Sequence, residues 1–160
     1  MEKEHDIFLG LGTNQGDKEQ NLKRAIEQLS LALGRYTSLS SFIETEPWGF
    51  ESDNSFLNCT VSFRTAIPPM ELLEITESTE RKLGRSTKSS GGIYHDRIID
   101  IDILLYGNEI INTERLTIPH PLMHKRDFVL NPLCEISPQT IHPVIGKSIA
   151  EIKEENDGRQ

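Results

Sequence analysis

Cysteine is almost missing from this chain. Its two residues in 160, Cys59 and Cys134, fit neither a disulfide framework nor the paired spacing of a zinc site, so buried reduced thiols and a cytoplasmic setting are expected. Long hydrophobic runs are missing too. No apolar stretch approaches the roughly 20 residues that cross a bilayer, and the start, Met-Glu-Lys-Glu-His-Asp, has neither the charge nor the apolar core of a signal peptide. The expectation is a chain with no membrane partner. Basic side chains are outnumbered 17 to 25, and a net charge of −8 argues against a nucleic-acid backbone as the main partner. A length of 160 residues suits a single domain over 1–160 with a proper core.

Several familiar motifs are also lacking. There is no G-x-x-x-x-G-K-[ST] sequence, so any use of ATP proceeds without a P-loop. Gly10-Leu11-Gly12-Thr13-Asn14-Gln15-Gly16 has the wrong spacing for a dinucleotide fingerprint and reads as a turn between a strand and a helix. His95, His120, His124 and His142 are scattered, without the spacing of a zinc site. His120 has the best claim to a role, because it lies in Ile118-Pro119-His120-Pro121, shortly after the strand described next.

What is present centres on Asp100 and Asp102 within Arg97-Ile98-Ile99-Asp100-Ile101-Asp102-Ile103-Leu104-Leu105. The aliphatic run reads as a strand, with Ile99, Ile101, Ile103 and Leu105 on one face and the two aspartates on the other, roughly 7 Å apart. A divalent cation would relieve their repulsion, and Mg2+ typically takes one or two carboxylates and completes its shell with water and phosphate oxygens. An antiparallel strand with one solvated face would show the same alternation. Charge distribution favours chemistry. Residues 81–126 carry 8 basic and 5 acidic side chains, a local balance of +3 that suits a polyphosphate.

Periodicity predicts strands over Ile7–Leu11, Tyr36–Glu44, Phe56–Arg64 and Ile98–Tyr106. One helix follows Asp17 as N-cap, with Leu22, Ala25, Ile26, Leu29 and Ala32 on its apolar face, and stops at Gly34. A second opens at Pro68-Pro69, runs through Leu72, Leu73, Thr76 and Leu83, and closes at Gly84. Loops are expected from Thr45 to Ser55 and from Arg85 to Gly92. The order is βαββαβ, an α+β ferredoxin-like core with an antiparallel sheet and a C-terminal helical extension. In the third strand, Phe56, Asn58, Thr60 and Ser62 share the face opposite Leu57, Cys59, Val61 and Phe63. An aromatic beside an amide suits a flat, hydrogen-bonding heterocycle, although packing beneath the C-terminal segment would use the same residues.

Taken together, the chain resembles the 6-hydroxymethyl-7,8-dihydropterin pyrophosphokinase family of the folate pathway over nearly its whole length. The resemblance is carried by Gly12-Thr13-Asn14, Glu44-Thr45-Glu46-Pro47-Trp48-Gly49, Phe56-Leu57-Asn58, Arg97-x-x-Asp100-Ile101-Asp102-Ile103-Leu104, Ile118-Pro119-His120-Pro121 and Arg126-x-Phe128-Val129-Leu130-x-Pro132-Leu133. The fourth of these is the family's signature. The resemblance implies that ATP and the hydroxymethyl dihydropterin give AMP and the pterin diphosphate. It implies that Asp100 and Asp102 hold two Mg2+ ions, with Arg85 and Arg97 completing the catalytic set. Phe56 and Phe128 would sandwich the pterin, while Asn58 and the backbone around Thr45 and Trp48 would hydrogen-bond to it. Arg85, Lys88, Arg97, Ile103, His120 and Arg126 would meet ATP. The chain departs from the pattern with His95-Asp96 before Arg97, Thr87 two residues after Arg85, and a longer loop; Lys88 and His95 are the first candidates to substitute for the missing contacts.

Three rival readings remain at this point. An ordinary kinase would pass the γ-phosphoryl group to a heterocyclic alcohol and release ADP. A non-catalytic ferredoxin-like module would bind a small ligand on the open sheet face, but gives no reason for paired aspartates beside an arginine. An RNA-binding module is disfavoured by the acidic balance. A monomer acting on small molecules is expected.

Overall fold

The computed structural model describes residues 3–45, 55–84 and 98–158. Along the chain the elements are β1 (His5–Thr13), α1 (Lys18–Leu33), β2 (Ser38–Leu39), β3 (Ile43–Thr45), β4 (Phe56–Thr65), α2 (Pro69–Gly84), β5 (Asp100–Tyr106), β6 (Ile111–Asn112), β7 (Thr117–Ile118), α3 (Asp127–Ile136) and α4 (Ile149–Asp157). The expected loops between Thr45 and Ser55 and from Arg85 to Gly92 lie outside the described residues, as do Trp48, Lys88, His95 and Arg97.

The main sheet has the order β2-β4-β1-β5, with β3 also pairing with β4. All its pairings are antiparallel, as a ferredoxin-like βαββαβ core requires. α1 starts where Asp17 accepts a hydrogen bond from the Gln20 N–H, and it ends at Gly34, whose φ of 90° favours a residue without a Cβ. Its buried stripe is Leu22, Ala25, Ile26, Leu29 and Leu33. Ala32, expected on that face, is exposed; the 3.6-residue period carries the stripe from Leu29 to Leu33, where a larger side chain fills the core. α2 buries Leu72, Thr76, Thr79 and Leu83. Its two buried threonines donate back to the Leu73 and Ile75 carbonyls, which satisfies the hydroxyls inside an apolar layer.

The sheet separates two hydrophobic clusters. Between the sheet and α1 and α2 lie Ile7, Leu9, Leu11, Val61, Phe63, Ile101 and Ile103 with the helix stripes. Fully burying each such side chain contributes about 1.5–3 kcal/mol. On the opposite face Phe8, Leu104 and Leu105 pack against Met123, Leu130, Leu133, Ile149 and Ile152 of the C-terminal segment. That segment covers one end of the face; toward the other end Gly10 and Gly12 are partly exposed and Asp100 and Asp102 exposed.

Two insertions in the ladders differ from simple alternation, and both shape the site. Leu9 pairs with Ile103 but Phe8 with Leu105, so Leu104 is an extra residue in β5. Leu105 is thereby turned onto the C-terminal face beside Leu104, away from the face of Ile101 and Ile103 where alternation had put it. The second insertion breaks the strand expected over Tyr36–Glu44 into two. Leu39 opposes Val61 and Ile43 opposes Asn58, four residues against three. Within the break the Ser40 hydroxyl accepts the Thr60 N–H, and the Ser41 N–H and hydroxyl both donate to Glu135 of α3. Local side-chain bonds thus replace a stretch of ladder.

Candidate active site

β1 continues through Gly10, Leu11 and Gly12 to Thr13, where a turn had been expected. Gly12 pairs with Asn58 on one side and Asp100 on the other, while Gly10 pairs with Thr60 and Asp102. Paired residues of neighbouring antiparallel strands share a face. This end of the sheet therefore holds Asn58, a bare glycine and Asp100 in one row, with Asp102 in the next. The two glycines give this surface its depth. A Cβ at Gly12 would sit 2.7 Å from the Asn58 Oδ1 and 3.9 Å from Phe56, and one at Gly10 would sit 3.3 Å from Leu104. Glycine alternating along a central strand is the sequence signal for this floor.

On the β4 side, Thr45 pairs with Phe56, and its hydroxyl accepts a hydrogen bond from the Asn58 amide at 3.1 Å. Asn58 is 8 % exposed, so that bond orients the amide and turns Oδ1 toward Gly12. The extra residue between β2 and β3 makes this contact, because without it Glu44 would oppose Phe56. Lys18 holds both ends of the following connection, donating to Glu44 and to the Ser55 hydroxyl and carbonyl. The Ser55 hydroxyl and Lys18 together hold the Glu44 carboxyl below its ordinary range.

On the β5 side, the side chains of Asp100 and Asp102 stand exposed while Ile99 and Ile101 are buried behind them. The strand pairs with β1 only from Asp100 onward; the Ile98 carbonyl instead accepts a hydrogen bond from the Thr13 hydroxyl. His120 is brought up by its backbone N–H, which donates to the Leu104 carbonyl at 3.0 Å. Its Nδ1 accepts the Leu122 N–H, so a neutral ring carries its proton on Nε2, 3.9 Å from the Asp102 carboxylate. Burial lowers the His120 pKa, with Arg126 acting the same way and Asp102 opposing them. The ring is accordingly neutral at pH 7, and at 3.9 Å it meets Asp102 as a dipole beyond hydrogen-bond range.

Phe128 lies in the first turn of α3, half-buried, with the Arg126 guanidinium 5.4 Å from its ring centre. α3 packs across β4 and reaches β3, so it borders the Asn58 row. Ile103, expected to meet nucleotide, has its side chain buried in the helix-side core, on the face away from the aspartates. Arg85, Arg97, Lys88 and Trp48 lie outside the described residues. Among the described residues no group of three or more His, Cys, Asp or Glu could hold a metal ion. A cation at Asp100 and Asp102 would draw the rest of its shell from water and substrate oxygens, as Mg2+ commonly does. Two adjacent exposed carboxylates, each paired across the ladder with a glycine, fit that demand.

The ferredoxin-like sheet thus carries paired carboxylates and an oriented amide on one face. Residues 8–138 match the family described as 7,8-dihydro-6-hydroxymethylpterin-pyrophosphokinase (HPPK). The 2-amino-4-hydroxy-6-hydroxymethyldihydropteridine pyrophosphokinase of Porphyromonas gingivalis is 49% identical over 138 residues, covering 86% of this chain and 93% of that protein. The Aquifex aeolicus protein of the same name is 42% identical over 150 residues, with 94% and 91% covered. The chain belongs to this family. In fold it is similar to the wild-type Plasmodium falciparum HPPK-DHPS solved with pteroate, with a TM-score of 0.78 at 16% identity over 99% of this chain. It spans 45% of the length of that longer chain.

Proposed function

We propose that this chain transfers the diphosphoryl group of ATP to the hydroxyl of 6-hydroxymethyl-7,8-dihydropterin, releasing AMP and the pterin diphosphate for folate biosynthesis. The observation that carries the reading is the row Asn58, Gly12, Asp100, with Asp102 beside it, across three neighbouring strands. It sets a hydrogen-bonding amide and a flat glycine floor directly beside two carboxylates. A planar heterocycle lying over Gly12 meets Asn58 with its polar edge and directs its substituent toward the aspartates. Thr45 holds Asn58 in that orientation. Phe56 and Phe128 supply aromatic faces for the ring, each contributing on the order of 1 kcal/mol beyond buried area.

Phosphoryl-type transfer asks little covalent help of a protein, so the chain's work is positioning and charge placement. Asp100 and Asp102 would hold the divalent cations, which we take to be two Mg2+. When bound, such ions would supply charge neutralisation for the transferred phosphates and would favour loss of the hydroxyl proton. No side chain is assigned as general base. Arg126, His120, Arg85, Lys88 and Arg97 are assigned to ATP, the arginines and lysine for their charge and His120 as a neutral donor through Nε2. Ile103, with its side chain buried, could meet nucleotide only through its backbone. Trp48 is assigned to the pterin through its backbone.

We further propose a monomeric single domain over 1–160, working in the cytoplasm without a nucleic-acid or membrane partner. Both cysteines are free, and burial pushes the Cys59 thiol up to about 12, which leaves it unreactive. Among the described residues no helix is long and apolar enough to cross a membrane. The deciding experiment is incubation with ATP, Mg2+ and the hydroxymethyl dihydropterin, with the nucleotides separated afterwards. AMP formed in step with pterin diphosphate is expected. ADP would instead establish γ-phosphoryl transfer, and no turnover would favour a binding module.

A further inference from the structure

Among the described residues β5 lies at the edge of the main sheet, paired with β1 on one side. An edge strand points every second N–H away from its neighbour, and such groups need another partner when the flanking residues are buried. Ile101, between the two aspartates, is 6 % exposed, and its N–H is taken by the Glu80 carboxylate of α2 at 2.8 Å. Alternation then directs the backbone groups of Asp100 and Asp102 toward Gly12 and Gly10, with which they pair. The Asp-Ile-Asp segment is thus gripped from both sides, by glycine backbone within the sheet and by one carboxylate from the last helical turns before Gly84. A hydrogen bond to an ionised acceptor is roughly twice as strong as a neutral one.

We propose that Glu80 is a positioning residue for the divalent-cation site. By holding the Ile101 N–H it fixes the strand backbone from which Asp100 and Asp102 project, so that both carboxylates reach one cation-bearing substrate together. This rests on the reading of the aspartates as the cation platform. Partners that orient metal ligands typically change metal affinity by about 10- to 100-fold when removed, and an indirect grip through backbone belongs at the lower end.

The test is Mn2+ binding, followed by electron paramagnetic resonance in the presence of a non-hydrolysable ATP analogue. The set comprises the unaltered chain, Glu80→Ala, Glu80→Gln and Asp102→Asn, with amide hydrogen exchange at Ile101 as a second readout. Glu80→Ala should weaken Mn2+ about tenfold and accelerate exchange at Ile101, while Glu80→Gln, which keeps an acceptor oxygen, should stay within about twofold of the parent. Faster exchange in Glu80→Ala with unchanged Mn2+ affinity would reduce Glu80 to an edge cap and overturn the proposal. Equal weakening in Glu80→Gln and Glu80→Ala would also overturn it, because charge rather than backbone position would then be responsible. If Asp102→Asn binds Mn2+ as the parent does, the cation platform itself fails, a result distinct from either of these.

Discussion

Replacing Gly12 by alanine adds one methyl group at the centre of the proposed pterin floor. The backbone there has no positive φ, so alanine meets no conformational penalty and the effect is purely steric. The new Cβ would lie 2.7 Å from the Asn58 Oδ1, whereas ordinary contact begins at 3.4 Å, an overlap of about 0.7 Å. Asn58 can yield only by swinging off Thr45, which loses a hydrogen bond worth about 1 kcal/mol net and leaves a buried amide short of a partner at about 1–3 kcal/mol. If it stays, the overlap strains the sheet by a similar 1–3 kcal/mol. Either way the melting temperature should fall by about 3–10 °C. The pterin dissociation constant should rise at least about tenfold, because the amide that reads the ring is displaced or the ring is lifted from its floor. Affinity for an ATP analogue should change by less than about twofold, since the atoms the added Cβ meets first belong to Asn58 and Phe56 rather than to Asp100. Gly10→Ala is the control: its Cβ meets the flexible end of Leu104 at 3.3 Å, so a loss below about 1 kcal/mol is expected. Calorimetric titration of each ligand together with thermal melting measures all of this. Unchanged pterin affinity in a destabilised Gly12→Ala would refute the placement of the pterin over Gly12.

Phe56→Ala, Phe128→Ala and Asn58→Ala should weaken pterin binding while ATP binding stays near normal; titrations with the opposite pattern would exchange the two pockets. Asp100→Asn and Asp102→Asn should keep the fold yet lose most of the rate across a Mg2+ titration, whereas a merely solvated strand face would leave activity intact and gain slightly from relieved repulsion. Acid should loosen the C-terminal segment through His142, which is 4 % exposed and whose Nδ1 accepts the Val144 and Ile145 N–H groups. Burial first, then the neighbouring His124, lowers its pKa from 6.5, so the unfolded chain binds the proton more readily. Stability should be full above about pH 6.5 and decline as pH falls below it; urea melts at pH 7.5 and 5.5 that show no smaller difference in His142→Asn would count against this. Ser148→Ala removes a capping box at α4, with Ser148 accepting from Glu151 and Glu151 from Ser148, and should cost about 1 kcal/mol in chemical denaturation.

Much of this was legible in the chain because the physics involved is local. Asp17 and Gly34 bound α1 through caps that need only neighbouring residues. The exposed faces of Asp100 and Asp102 follow from a period of two that holds wherever a strand is half-buried, and Phe56 and Asn58 share a face for the same reason. What alternation cannot contain is an inserted residue, since that is a property of two strands together. Leu104 turns Leu105 onto the C-terminal face, and the extra residue between Leu39 and Ile43 delivers Thr45 to Asn58; neither slip leaves a mark in the local pattern. Gly12 reads as a turn residue until β4 and β5 are placed on either side of it, when its missing side chain becomes the space between an amide and a carboxylate. Glu80 is one acid among several on a helix until the edge of β5 lies against it. The sequence alone determined which residues could carry the chemistry, through residue type and short-range period. Tertiary structure decided which of them meet, because register, bulges and sheet edges are set by long-range pairing and packing.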